Sequence, residues 1–260
     1  MKNISITGHG EPVLLLHGMS GPSFMNKIKA ELCNHYLVIL PTLPGFTTNH
    51  VLLNYNDKSY VQYIESLRKE LGFSSWIVIG YSLGGRIALN YALHYPTRVK
   101  RLALLNTLGI EYINPLLKIP MGKVFMEHIL QICLRYHPFK RNIILHNYSF
   151  KDRKNYLFVK SYFNYILKDP LLRKNFIKIY LYLAKPIANL NKKLIKLDTS
   201  TLILWSEDDQ TSSLLSGYHL HQMLRHSTMH VLKHYKHNAP FENPNFYTKH
   251  ILYFLSTDLT

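Results

Sequence analysis

The sequence contains few cysteines. It has two, Cys33 and Cys133, in 260 residues. They are far apart, which excludes the dense disulfide framework of small secreted proteins and favours a reducing compartment. No Cys-x-x-Cys pair and no His/Cys ladder with metal-ligand spacing occurs. We therefore expect neither a metal nor another cofactor.

Long apolar runs are also missing. No run approaches the roughly 18 residues that span a bilayer, and Met1–Ile6 lacks the apolar core of a signal peptide. We expect a cytoplasmic protein. No glycine-rich phosphate-binding loop is present, and Gly8–Gly10 is typical only of a hairpin-like turn. A chain of this length usually forms one α/β domain with a sizeable core.

One motif stands out from this background. Gly80–Gly84 reads G-x-S-x-G, with Ser82 at its centre. The apolar run Trp76–Ile79 precedes it and predicts a buried strand, whereas Arg86–Leu93 predicts a helix. A serine on a tight strand-to-helix turn exposes its hydroxyl, and the flanking glycines permit that turn. The context predicts a nucleophilic serine.

The rest of the chain alternates between strand and helix patterns, which is typical of a mostly parallel sheet covered on both faces. The predicted strands are residues 3–7, 12–16, 36–40, 75–79, 101–105, 201–205 and 228–232. The predicted helices are residues 22–33, 57–71, 83–94, 213–224 and 244–255.

A nucleophilic serine needs a base, and the base needs an orienting acid. The loop after the strand at 201–205 carries Asp208 and Asp209. The loop after the last strand carries His234 and His237. The order serine, acid, histidine favours Ser82, Asp209 and His237 as a triad, with Asp208 as the alternative acid. Ser206 is interpreted as an ordinary loop serine.

These residues resemble the α/β-hydrolase superfamily over nearly the whole chain. Trp205–Asp209 matches the family's Trp-Gly-Glu-x-Asp segment with Ser206 in place of glycine. His237, Glu242 and Pro244 fit the spacing after the family histidine, with Lys236 in place of glycine. The resemblance implies the α/β-hydrolase fold, in which residues 1–110 and 201–260 form the core and residues 111–200 a helical lid.

The resemblance also implies an oxyanion hole. Val13–Met19 is similar to the family strand and His-Gly loop, which makes the backbone N–H groups of Met19 and Leu83 the expected donors. We assign substrate contacts to four residues: His17, Gly18, Tyr81 and Phe163. For His17, the alternative is a role in bracing the His-Gly loop at residues 17–19, which we call the oxyanion loop.

The lid segment is strongly basic. Residues 111–200 contain 17 Lys and Arg against 5 Asp and Glu, out of a net charge of +16 for the chain. Fourteen of the chain's aromatic residues also lie there. This composition predicts an apolar acyl channel with a positive outer face that attracts anionic partners. An A/T-rich coding bias predicts the same excess of lysine.

Candidate partners of the basic lid are an acidic acyl carrier protein, an anionic membrane surface and a negatively charged substrate. The carrier protein follows from a loose resemblance to pimeloyl-carrier-protein methyl esterases of biotin synthesis, carried by Ala239–Phe241. Arg135, Arg141, Arg153 and Arg173 are the candidate docking residues. Nucleic acid is not expected, because no recognition motif accompanies the charge.

The predicted function is hydrolysis of a carboxylic ester of a small molecule or acyl carrier through an acyl-enzyme. The alternatives within the fold are a general esterase, a lipase, a thioesterase and a C–C bond hydrolase for ring-cleavage products. A receptor or scaffold is the alternative outside enzymology, and the intact set Ser82, Asp209 and His237 argues against it. The sequence leaves the oligomeric state open.

Overall fold

A seven-stranded sheet lies at the centre of the structure, which is a computed structural model. The structure describes residues 3–111 and 153–257, and between these ranges also residues 125, 127–130, 132 and 134. The strand order is β1-β3-β2-β4-β5-β6-β7. β1 pairs antiparallel with β3, and the remaining pairs are parallel. The strands are β1 Ile4–Thr7, β2 Pro12–Leu16, β3 Leu37–Pro41, β4 Trp76–Tyr81, β5 Val99–Leu105, β6 Thr201–Ser206 and β7 Ser227–Leu232.

Helices connect the strands and cover both faces of the sheet. The described α-helices are α1 Asn26–Leu32, α2 Asp57–Glu70, α3 Leu83–His94, α4 Arg153–Lys168, α5 Pro170–Leu183, α6 Leu190–Leu194, α7 Leu214–Met223, α8 Ala239–Glu242 and α9 Pro244–Ser256. Short 3₁₀ turns precede α1 and β5, at Pro22–Met25 and Pro96–Arg98.

The predicted strands and core helices are confirmed to within about two residues at each end. One expectation is wrong: the hairpin-like turn at Gly8–Gly10 does not join neighbouring strands, because β3 lies between β1 and β2. The helix predicted over 22–33 begins as the 3₁₀ turn, and α8 was not predicted.

The parallel strands are buried because apolar side chains alternate between two faces of the sheet. Leu14 and Val78 face a core formed with α2 and α3, whereas Val13 and Ile77 face a second core formed with α1 and α9. The carboxyl ends of β4, β5 and β6 therefore meet at one edge of a rigid sheet, where ligands of such folds bind.

The helices inserted between β5 and β6 form a third apolar cluster. α4 and α5 pack on each other and on two residues of the core, Phe24 in the 3₁₀ turn Pro22–Met25 and Phe241 in α8. Residues 135–152 lie outside the described part of the chain, and with them Arg135 and Arg141. The boundaries of the predicted lid stay a prediction, and its residues 153–194 are mainly helical.

A buried ion pair attaches these helices to the core. Arg86 of α3 contacts Asp57 at 2.8 Å, with the Arg86 side chain 3% and the Asp57 side chain 28% exposed. The Tyr182 hydroxyl of α5 donates to the same carboxylate, and Arg86 also donates to the Lys185 carbonyl. Burial raises the pKa of Asp57, but the hydrogen bonds and charge of Arg86 outweigh it, so the pKa lies below its usual range.

We expect Arg86→Met to lower the free energy of unfolding by about 2 kcal/mol, because it leaves the Asp57 carboxylate without its charged partner. This is less than for a fully buried pair, since water reaches Asp57. Chemical denaturation measures the loss. Adding Asp57→Asn should restore part of the stability.

The matched control is Lys100→Met, which breaks the exposed pair between Lys100 and Glu11. It should cost less than about 0.5 kcal/mol. Equal losses for Arg86→Met and Lys100→Met would contradict the anchoring role of Arg86.

Candidate active site

Ser82 lies on a tight turn between β4 and α3, in a backbone conformation that L-residues rarely adopt. Its φ is 56° and its ψ is −113°. Glycines at positions 80 and 84 make the turn possible, because α3 packs directly on neighbouring backbone. A Cβ on Gly80 would overlap the Gly84 carbonyl, and a Cβ on Gly84 would overlap the Leu16 carbonyl. Such strain persists only where the surroundings enforce it. The turn directs the serine away from the sheet.

The structure brings Ser82, His237 and Asp209 together. Ser82 Oγ lies 2.9 Å from His237 Nε2. His237 Nδ1 lies 2.7 Å from Asp209 Oδ2. All three residues are at most 5% exposed. In the arrangement that satisfies all three, His237 donates from Nδ1 to the carboxylate and accepts at Nε2 from the serine hydroxyl.

Asp209 rather than Asp208 faces the histidine. Asp208 is exposed, whereas the Asp209 side chain has no solvent-exposed surface. Asp209 Oδ1 accepts from the backbone N–H groups of Thr211 and Ser212, each at 2.8 Å. These donors stabilise the ionised carboxylate in a site that water does not reach. The catalytic role assigned to Asp209 stays a prediction.

Three further side chains support Asp209, and the sequence reasoning missed them. Asn106, at the end of β5, donates to Asp209 Oδ2 at 2.8 Å and to Ser206 Oγ at 2.9 Å. Tyr247 of α9 donates to Asn106 Oδ1 at 2.8 Å. The interpretation of Ser206 as an ordinary loop serine is wrong, because its hydroxyl is buried in this network at the end of β6. Asn106 and Ser206 are polar residues at the ends of buried strands, and this pattern is the sequence signal that could have identified them.

The predicted oxyanion donors flank Ser82. Leu83 is the first residue of α3, and its N–H has no carbonyl one turn earlier in the helix to bond. On the other side, the loop after β2 runs beside the serine, since a Cβ on Gly18 would lie 3.0 Å from the Ser82 Cβ. Met19 follows Gly18 in that loop. The proximity is compatible with the predicted N–H pair, whose role stays a prediction.

His17 braces this loop from beneath. Its Nδ1 lies 2.7 Å from the Gly18 carbonyl, and its Nε2 accepts from the Leu43 N–H at 2.9 Å. Burial lowers the pKa of His17 to about 4, so the ring is neutral near pH 7. With no exposed surface and both nitrogens engaged, His17 fits the bracing alternative rather than direct substrate contact.

Tyr81 holds the loop that carries His237. Its hydroxyl donates to Asn238 Oδ1 and lies 3.2 Å from the His237 carbonyl, and its ring lies 5.6 Å from the imidazole. Tyr81 is 2% exposed. Tyr81 thus helps to position the histidine, and its predicted substrate contact stays a prediction.

Aromatic side chains of the inserted helices lie next to the oxyanion loop. Phe163, predicted to touch substrate, is buried between α4 and α5 against Phe176. Tyr162, which was not predicted, packs against Gly21. Phe158 of α4 stacks on Phe241, which lies four residues after His237. The inserted helices thus add apolar surface beside both loops of the site.

A family model described as the α/β hydrolase fold matches residues 11–129. These residues include β2, the oxyanion loop and the turn at Ser82. The protein has the α/β-hydrolase fold. Its sheet topology and the order of Ser82, Asp209 and His237 along the chain agree with that fold.

Curated relatives match this chain along nearly all of its length. A 2-hydroxy-6-oxo-6-phenylhexa-2,4-dienoate hydrolase of Burkholderia cepacia is 25% identical over 98% of this chain and 91% of its own. A 2-hydroxy-6-oxononadienedioate/2-hydroxy-6-oxononatrienedioate hydrolase of Comamonas testosteroni is 26% identical over 98% of this chain and 91% of its own. The comparisons support a hydrolase.

Solved structures share the fold. A thermophilic esterase from Thermogutta terrifontis superposes with a TM-score of 0.81 at 22% identity, covering 98% of this chain and 92% of that one. A 2-hydroxy-6-oxo-6-phenylhexa-2,4-dienoate hydrolase from a Rhodococcus strain superposes with a TM-score of 0.80 at 22% identity, covering 98% and 95%.

Two further observations concern cofactors and membranes. Glu207, Asp208 and His234 bring potential metal-ligand atoms within 4.8 Å of one another, and all three are exposed. The expected absence of a metal stays a prediction. Within the described residues, no helix combines the length and the apolar character needed to cross a bilayer.

We expect acid to destabilise the protein partly through His17. Because its folded pKa of about 4 lies below the unfolded value of 6.5, its contribution is complete above pH 6.5 and is lost as the pH falls towards 4. The free energy of unfolding that is lost through His17 is on the order of 3 kcal/mol. Chemical denaturation between pH 7 and pH 4 should show that the wild-type protein loses more free energy of unfolding than His17→Gln. Equal losses in the two proteins would contradict this role of His17.

Proposed function

We propose that this protein hydrolyses a carboxylic ester through an acyl-enzyme formed on Ser82. The observation that carries the proposal is the continuous hydrogen-bond chain from Ser82 Oγ through His237 to Asp209, with distances of 2.9 and 2.7 Å. A serine hydroxyl with an oriented imidazole beside it is the arrangement that nucleophilic acyl transfer requires.

Acylation begins when Ser82 Oγ attacks the ester carbonyl carbon and its proton passes to His237 Nε2. The new C–O bond places negative charge on the former carbonyl oxygen. The Met19 and Leu83 N–H groups stabilise that charge, and a donor of this kind contributes about 3 kcal/mol to transition-state stabilisation. When the tetrahedral intermediate collapses, the bond to the alcohol breaks and the imidazolium protonates the leaving oxygen.

Deacylation repeats these steps with water as the nucleophile. His237 Nε2 removes a proton from water, whose oxygen attacks the acyl carbon. The second intermediate expels Ser82 Oγ, which recovers its proton from the imidazolium, and the carboxylic acid leaves. Asp209 stays ionised throughout and stabilises the positive imidazolium. Its two backbone donors and Asn106 hold it in place for that role.

The neighbouring aromatic surface supports an apolar acyl group. Phe24, Phe158 and Phe241 form a contiguous cluster with ring centroids 4.7 to 5.7 Å apart. Phe24 follows the oxyanion loop, and Phe241 follows His237. An acyl chain lying on this cluster would be removed from water as it reaches Ser82. The resemblance to carrier-protein methyl esterases stays a prediction.

A second candidate function is hydrolysis of a C–C bond next to a ketone. The relatives named above favour it, because several act on 2-hydroxy-6-oxo-dienoates. In that reaction the leaving group is carbon rather than oxygen, so a carbon atom must accept the proton. The same serine, imidazole and oxyanion donors would serve the step at the ketone.

We expect Ser82→Ala and His237→Ala to abolish hydrolysis of p-nitrophenyl esters, with kcat/KM falling at least about 10⁴-fold, because each removes a participant in the attack. Asp209→Asn should cost a similar factor, since it disturbs the imidazole tautomer. Asp208→Asn is the matched control and should leave kcat/KM within about twofold. Release of p-nitrophenolate measures all four.

Equal effects of the two aspartate variants would contradict the assignment of Asp209. Loss of folding is excluded by near-UV circular dichroism of each variant. Retention of activity by Ser82→Ala would overturn the serine mechanism altogether.

The two candidate reactions are distinguished by comparing substrates with the same enzyme preparation. We expect esters with medium or long acyl chains to be cleaved with a higher kcat/KM than a 2-hydroxy-6-oxo-dienoate. Cleavage of the dienoate is measured by the loss of its visible absorbance. The apolar cluster beside the site is the physical reason. A preference of tenfold or more for the dienoate would make the C–C hydrolase the correct function.

A further inference from the structure

The inserted helices carry an unusual charge balance. Residues 153–196 contain eleven Lys and Arg but a single acidic residue, Asp169. Asp169 is already engaged, because its carboxylate accepts from the Leu172 N–H and caps α5. The positive charge of this segment is therefore left almost unbalanced within it, and it attracts anions.

The charged residues of α4 lie on one side of the helix. Its buried side is Val159, Phe163, Ile166 and Leu167. At 100° per residue, the opposite side presents a different set, all of them exposed. That set is Arg153, Lys154, Leu157, Lys160, Ser161, Tyr165 and Lys168. The corner into α5 continues it with exposed Leu171 and Lys174. We call these residues the docking face.

Three large apolar or aromatic side chains are exposed among these lysines. Leu157 is 53%, Tyr165 63% and Leu171 41% exposed. Leaving such side chains in water costs free energy that burial in another apolar medium would recover. Their placement among cations, rather than in one continuous apolar patch, is typical of a surface that lies in the headgroup region of a bilayer.

We propose that the docking face binds an anionic phospholipid surface. The lysine ammonium groups would contact lipid phosphates, because an anionic lipid surface attracts each nearby lysine. Leu157, Tyr165 and Leu171 would enter the interface, where aromatic rings with one polar end are favoured. The helix would lie parallel to the membrane and would not cross it.

The docking face is continuous with the candidate active site. Phe158 lies at the edge of the face and is 44% exposed, while its ring stacks on Phe241 at 5.7 Å. Phe241 in turn contacts Phe24, with 4.7 Å between ring centroids. An acyl chain leaving the bilayer would follow these rings towards Ser82 without crossing bulk water.

An acidic acyl carrier protein is the competing partner for the same charges. The exposed Leu157, Tyr165 and Leu171 favour the bilayer, because attraction by charge alone leaves these side chains without a role. The membrane proposal is independent of the reaction, since it concerns binding and is tested on a protein without the Ser82 hydroxyl.

The test is flotation of Ser82→Ala protein with vesicles of phosphatidylcholine alone or mixed with phosphatidylglycerol. We expect binding to the anionic vesicles that weakens when salt rises from about 50 to about 500 mM, as charges become screened. Lys160→Gln/Lys168→Gln/Lys174→Gln should weaken that binding at least tenfold. Leu157→Ser/Tyr165→Ser/Leu171→Ser should weaken it several-fold even at low salt.

Matched controls change equal numbers of exposed side chains elsewhere. Lys58→Gln/Lys233→Gln/Lys249→Gln and Leu53→Ser/Leu215→Ser/Tyr253→Ser should bind like the parent. Near-UV circular dichroism of all four triple variants should match that of the parent, which shows that they fold.

Equal losses in the docking-face and control variants would overturn the proposal, as would the absence of vesicle binding. Binding of an acidic acyl carrier protein that needs the same lysines, without binding to anionic vesicles, would also overturn it in favour of a protein partner. A failure of ester hydrolysis would leave the flotation result unaffected.

Discussion

The backbone turn at Ser82 is the constraint on which the rest of the site depends. A φ of 56° at a serine is costly, and it is maintained by close packing that only glycine allows at positions 80 and 84. Gly85 is similarly constrained, because a Cβ there would overlap the Thr107 hydroxyl. The turn sets the direction of Oγ and also starts α3, whose first residue is Leu83.

The parallel sheet supplies the remaining parts from neighbouring strands. β4 ends at Ser82, β5 ends beside Asn106, β6 leads to Asp209 and β7 leads to His237. Because the strands are adjacent and run in the same direction, four sequence-distant segments meet at one edge. The buried Asn106, Ser206 and Tyr247 then fix the acid, at the cost of a polar network that must be fully hydrogen-bonded to be stable. His17 plays the corresponding part beneath the oxyanion loop.

Much of this arrangement could be predicted from the sequence. The strands, the core helices and the three triad candidates follow from periodic apolar patterns and from motifs with fixed spacing around Ser82 and His237. Residues that act through tertiary contacts could not be predicted. Asn106 and Tyr247 are 141 positions apart, and the contact of Asp57 with Tyr182 joins segments whose adjacency no local pattern encodes. The substrate contacts assigned to Tyr81 and Phe163 stay predictions, because the local sequence does not show whether a side chain faces a cleft or the protein interior.

The proposed mechanism requires Ser82 to be an activated nucleophile, and covalent labelling tests that requirement most directly. The protein is treated with a fluorophosphonate, and the modified peptide is identified by mass spectrometry. We predict that one phosphonyl group replaces the hydroxyl proton of Ser82, with fluoride released, and that His237→Ala slows this by several orders of magnitude. Absence of labelling at Ser82, or equal labelling of His237→Ala, would contradict the account.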